Sequence, residues 1–272
     1  MRIANKKRFY KCILLLITII GVIGVTILYL INYELVSTAF ATYDGALQVV
    51  LIILLRIAIL SIITGYLFHK WFKQEAQYLT DIPFLLGLFF FFLIFGKTLD
   101  LFVDLTFFTI SEELILLINK IRYLIIIIEV APLVYLGFEI IFFRLEDKYT
   151  KLKNKSYMNR TRALIITVII IIESLAIIIV PNITLLGIVL PIILIPSLFG
   201  IVYIFYLAYR LNRLTVVKPK ILTIGFLLYM ISNIFRPVMQ NILGETAIYI
   251  IIVEFVDLLI FLIIFWGLYK KT

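Results

Sequence analysis

Residues 247–268 read AIYIIIVEFVDLLIFLIIFWGL, an apolar run interrupted only by Glu254 and Asp257. At about 1.5 Å of rise per residue, a helix over this stretch crosses the roughly 30 Å hydrocarbon core of a bilayer. The same reading applies to 12–32, 46–68, 83–105, 122–143, 163–181, 184–208 and 221–242. The expected fold is therefore an all-α, polytopic transmembrane helix bundle of eight spans. Composition agrees: 64% of the 272 residues are hydrophobic and 15% charged, against roughly 25% charged in a soluble domain. Mean hydropathy is +1.17.

The fifth and sixth spans are separated only by Pro181-Asn182. Proline after a helix end and asparagine in a turn support a break there, with seven spans as the fallback. The first apolar run exceeds a signal-peptide core and no small-residue cleavage site follows it, so it reads as an anchor. No loop nears the roughly 50 residues of a minimal domain, and 1–272 reads as one membrane domain without a soluble unit. Within it, Tyr123 to Leu133 (YLIIIIEVAPL) echoes Tyr249 to Leu258 (YIIIVEFVDL). That echo suggests a parallel four-plus-four repeat, about 1–143 and 144–272.

Lysine and arginine set the expected orientation. The segments before span one, between two and three, four and five, six and seven, and after eight hold 5, 2, 7, 4 and 2 of the 25. Arg56, Lys97 and Arg236 lie inside spans, leaving Lys120 and Arg122 for the outer rim. The positive-inside rule then places both termini in the cytoplasm of a multi-pass cell-membrane protein. The net charge of +9 is a product of this bias, so it implies contact with anionic lipid headgroups and no nucleic-acid partner. The loop from Arg144 to Arg162 is the longest cytoplasmic connection and the candidate dock for a signalling partner. On the outer side, Ser111-Glu112-Glu113 resembles a helix start, a serine cap followed by acids in the first turn. The high isoleucine and lysine content suggests an AT-rich prokaryotic genome.

Charges inside spans mark the candidate site. Each costs roughly 2.5 to 3.5 kcal/mol at a helix centre when unpaired, so such residues are rare without a role. Counted along each span, Arg56, Lys97, Asp100, Glu129, Glu173, Arg236, Glu254 and Asp257 fall about 7 to 15 Å below the outer ends. Glu139 lies near the inner end of span four, within reach of the interface or Arg144. Lys97 and Asp100 share a helix face, as do Glu254 and Asp257. Asn233, Arg236 and Gln240 form a polar stripe on span seven. Pro237 beside Arg236, and Pro132 after Glu129, bend their helices at the same level. Three bases against five acids leave two surplus carboxylates, which call for a proton, a cation or a cationic ligand. Arg56, Lys97 and Arg236 would hold anionic groups, and Glu129, Glu173, Glu254 and Asp257 a cationic group.

Three functions fit a charged pocket open to the outside. The apolar runs Leu85 to Phe95, Leu164 to Ile172 and Leu258 to Phe265 leave no hydrophilic path to the cytoplasm, which favours a sensor or receptor-like module binding a small ligand. A solute or ion-coupled transporter is the alternative. An enzyme acting on a lipid is the third, although Ser174 and Ser232 have no histidine partner. His69 is the only histidine and Cys12 the only cysteine, so neither a zinc site nor an intrachain disulfide is expected. No cofactor is implied. A retinal protein would need a lysine midway along its last helices, and spans seven and eight have none.

Overall fold

The structure is a computed structural model describing residues 3–212, 214, 217–244 and 246–269. Four bases of the charge count, Arg2, Arg213, Lys270 and Lys271, lie outside the described residues. So does Glu245. Among those described, the chain is helical with no strand: α1 (Ile3–Ile31), α2 (Tyr33–Thr42), α3 (Ala46–Phe72), α4 (Ile82–Thr106), α5 (Glu112–Leu145), α6 (Lys155–Ile179), α7 (Ile183–Arg210), α8 (Pro219–Leu243) and α9 (Ala247–Leu268). All but α2 are long and apolar enough to cross a membrane.

The uncertain break is made by side-chain chemistry. α6 ends at Ile179, and Asn182 accepts a hydrogen bond from the Leu185 amide at 2.9 Å to cap α7. An asparagine cap supplies an acceptor to an otherwise orphaned amide, and the preceding proline cannot continue α6. Eight spans result. Ser111 caps α5 from Leu114 at 3.4 Å, so α5 starts at Glu112 and its 34 residues extend about 50 Å, well beyond a hydrocarbon core.

Two connections differ from expectation. Residues 33–42, expected as part of the outer connection between the first two spans, form α2, which packs mainly on α4 and buries Ala39. The segment 144–162 is mostly helix: Arg144 belongs to the last turn of α5, Thr150–Lys153 is a 3-10 turn, and α6 begins at Lys155.

Six helices close a ring in chain order, α3–α4–α5–α7–α8–α9, with α9 returning to α3. α1 lies outside against α4, and α6 outside mainly against α5. None of the most apolar stretch of α1 is buried, against 67% of that of α4. Exposed isoleucine and leucine cover the flanks, including Ile20, Leu164, Ile172 and Ile192, each more than 60% exposed. That surface suits lipid chains and would be a large apolar patch in water. A ring in chain order sets α5 opposite α9 whatever its history, so the placement of the two echoing segments adds no weight to a repeat.

The half of the ring nearer the basic loops is filled by aromatic side chains. Phe89, Phe90, Phe205, Phe226 and Phe261 are all 1% exposed or less. Phe205 and Phe226 stack with centroids 5.1 Å apart, and Phe89 meets Phe226 edge-on at 5.8 Å. Such offset and edge contacts pack densely around a narrow axis. The apolar run 164–172, expected to help seal this half, lies on peripheral α6 and takes no part. α7 and α8 supply Phe205 and Phe226 in its place.

Candidate functional site

Above the aromatic plug, five of the six ring helices send charged side chains to one centre, and these form a string of alternating sign. Glu129 stands 3.9 Å from Arg122 Nη1. Arg122 grips Asp100 with two hydrogen bonds, Nε to Oδ1 at 2.6 Å and Nη2 to Oδ2 at 3.3 Å. Lys97 Nζ bridges Asp100 and Glu254, each at 2.8 Å. Arg56 Nη1 bridges Glu254 at 2.6 Å and Asp257 at 2.9 Å. Asp257 also accepts from Ser232 Oγ at 2.7 Å and pairs closely with Arg236. Arg236 lies 3.7 Å from Glu254 as well. Each interior member thus has neighbours of opposite sign on both sides, the arrangement that offsets the desolvation of buried charges.

The string contains four bases and four acids, and this changes the charge balance read from the sequence. Arg122, expected at the outer rim, is only 9% exposed and sits inside. Gly96 makes room for it: a Cβ there would stand 2.6 Å from Arg122 Nη1. Ten residues from Glu112, Arg122 lies about 15 Å along α5, and it is two turns from Glu129 on the same face. Those two facts were the available signal. Glu173 goes the other way. It is carried by α6, outside the ring, where it is partly buried and forms no ion pair among the described residues. With Arg122 in and Glu173 out, the two surplus acids vanish. We expect Glu173→Gln to leave melting in detergent or nanodiscs unchanged or raised, because it removes a charge without breaking a pair.

Of the two placements expected for Glu139, the exposed one fits, its side chain being 44% exposed, while the Arg144 pairing does not form. Glu139 accepts from Arg162 at 2.7 Å instead. Arg162 is 1% exposed, contacts Asn159 closely and lies 4.3 Å over the Tyr135 ring, so it clamps α6 to α5 and is withdrawn from the basic rim.

The string borders a cavity of about 500 Å³ that opens at the end of the bundle away from the basic loops. Lys97, Asp100, Asn233, Arg236, Gln240 and Glu254 line it, joined by Arg122, Asp104, Asn119, Tyr123 and Tyr249, which the sequence did not single out. Pro191 and Pro237 stand in the wall. Proline has no N–H, so each frees a helical carbonyl four residues back, and for Pro237 that is Asn233 on the same wall. Asn233 Nδ2 meanwhile donates to the Tyr229 carbonyl at 2.8 Å.

Next to this cavity, and sharing Lys97, Arg122, Asn233 and Arg236 in its wall, lies a recess of about 40 Å³ that Arg56, Glu129, Tyr229 and Phe89 also line. Four of these side chains carry buried polar atoms without a hydrogen-bond partner: Arg56 Nε and Nη2, Arg122 Nη1, Arg236 Nε and Glu129 Oε2. Unpartnered groups at this depth cost of order 1–3 kcal/mol each, a cost that a water, an ion or a polar ligand group can offset. Asp257 does not line either space. It is fully buried behind them and ties Arg56 to Arg236.

Among the described residues no group of three histidine, cysteine or acidic side chains could hold a metal ion. Comparison with protein-family models, with curated proteins and with solved structures finds no match.

Proposed function

We propose that the protein is a small-ligand sensor or receptor-like membrane module that takes a polar ligand from outside the cell into the charged cavity. The carrying observation is the cavity itself: about 500 Å³, floored by Lys97, Arg122, Arg236, Asp100 and Glu254, and ending on an aromatic plug. In this reading the membrane is the cell membrane and both termini are cytoplasmic, as lysine and arginine placement favours. Ligand entry changes how α5, α7 and α8 lean on one another around Pro132, Pro191 and Pro237. The change is passed to a partner at the connection between α5 and α6, which is clamped by Arg162 and Glu139.

Transport is the second reading, favoured by a cavity of about 400 Å³ at the basic end, lined by Gln74, Asp81 and Glu139 among others. It would require the aromatic plug to part. Lipid chemistry is weaker, because Ser232 is already committed to Asp257 and no histidine stands near.

Thermal melting in nanodiscs against ions, amino acids, organic acids, amines and lipids tests the binding reading. A ligand at 100 times its Kd stabilises by about 2.7 kcal/mol. A selective shift that Arg236→Ala abolishes supports it. Uptake of the same compound into sealed proteoliposomes would replace the sensor by a transporter.

A further inference from the structure

The alternating string has two ends, a carboxylate at Glu129 and a guanidinium at Arg236, and both ends open on the same recess. We propose that this recess binds the head of a zwitterion, such as an α-amino acid, whose carboxylate docks on the arginines and whose ammonium docks on Glu129. The inference rests on the binding reading above and names its ligand class.

The argument is one of matching signs. The recess is walled by the guanidinium side chains of Arg56, Arg122 and Arg236, the ammonium of Lys97 and the carboxylate of Glu129, and all but Lys97 carry a buried atom without a hydrogen-bond partner. A simple anion would satisfy the N–H groups but stand against the Glu129 carboxylate. A simple cation would satisfy Glu129 but face three guanidinium groups and the Lys97 ammonium. The string has no formal net charge, four bases against four acids, so a ligand of either net charge would bring an uncompensated charge into an apolar bundle at high cost. A zwitterionic head carries both signs within a few ångströms and adds none. Arg122 Nη1 and Glu129 Oε2 stand 3.9 Å apart, beyond hydrogen-bond reach of each other, so the ligand carboxylate would accept from Arg122 while its ammonium donates to Glu129.

Size agrees with this assignment. By volume the recess accommodates about three waters, or a compact ammonium–carboxylate head. The remainder of such a ligand would point into the larger cavity, past Tyr123, Tyr249, Leu194 and Ile195. These walls suit an apolar or aromatic substituent. Asp104 at the mouth adds a negative charge on the approach, which favours the ammonium-bearing form over a bare organic acid.

The test is a matched series on the wild-type protein in nanodiscs, read by thermal shift and by calorimetric titration. The probes are the standard amino acids, with 3-phenylpropanoate and phenethylamine as single-charge partners of phenylalanine, and the corresponding acid and amine for leucine. At least one amino acid should bind, with its matched acid and amine weaker by about 10-fold or more, as expected for a lost charge-assisted hydrogen bond. Glu129→Gln should shrink the gap between amino acid and acid, because the ammonium then has no carboxylate to meet. An acid or an amine that binds as tightly as its amino acid overturns the zwitterion assignment and leaves the binding reading standing. Binding of only unrelated compounds does the same. No binding by any compound, in this series or the wider panel, overturns both.

Discussion

Glu254→Gln should lower the unfolding free energy by about 3–5 kcal/mol, the cost of removing one partner from a buried ion pair. Glu254 is 2% exposed and is the central acid of the string, shared by Arg56 at 2.6 Å and Lys97 at 2.8 Å. Its neutral isostere keeps the shape but leaves four cations facing three anions. The diagnostic companion is the double variant Lys97→Met/Glu254→Gln, which restores three against three. If neutrality of the string is what matters, the double variant recovers stability relative to the sum of the single losses, by an interaction energy of about 1–3 kcal/mol. Denaturant unfolding in micelles reads both. A single variant as stable as the wild type, or single losses that simply add, would show that the charges act independently.

The second large effect is expected at Arg122. Replacement by glutamine removes the two-pronged grip on Asp100 and the nearest positive charge to Glu129, so a loss of about 3–5 kcal/mol is expected here too. Lys120, two residues earlier, is the internal control. Its ammonium reaches the Ile178 carbonyl at 3.0 Å from an exposed position, and Lys120→Gln should change stability by no more than about 0.5 kcal/mol. If the two substitutions cost the same, Arg122 stands at the rim as sequence counting first suggested. If they differ by this margin, its buried place in the string is established in solution.

Glu173 and Arg122 were misplaced by the sequence for different physical reasons. Counting along a spanning helix gives depth to within about a turn, and by depth Glu173 belongs with Glu129 and Lys97. Position around the ring is a different coordinate. In a soluble bundle it is read from the contrast between an apolar and a polar face, but α6 is isoleucine on every side because lipid and protein interior are equally apolar. Nothing in its sequence says that α6, and Glu173 with it, lies outside the ring. Arg122 suffered from the opposite bias, since a base near a span end is assigned to the rim by default. The imbalance of three bases against five acids was the clue that one more base had to enter, and Gly96 is the space left for it.

The helical connection at 33–42 was missed because a ten-residue helix between two spans offers too short a run to show its period, with only Ala39 fully buried. The role of Arg162 was missed because a base at the start of a span reads as a topology signal, whereas the packing of α6 against α5 withdraws it toward Glu139 and Tyr135.

By itself the sequence determined that the chain forms spanning helices, how many, where the Pro181-Asn182 break falls, and, Arg122 apart, which charges share a level along their helices. Each of those depends on hydropathy and proline chemistry along the chain, quantities that are local. Which helices close the ring, which charges pair with which, and that the two ends of the string meet in one recess were decided only by the tertiary structure. Those depend on how each helix is rotated about its axis, and where lipid and core are both apolar, only the contacts between helices settle that rotation.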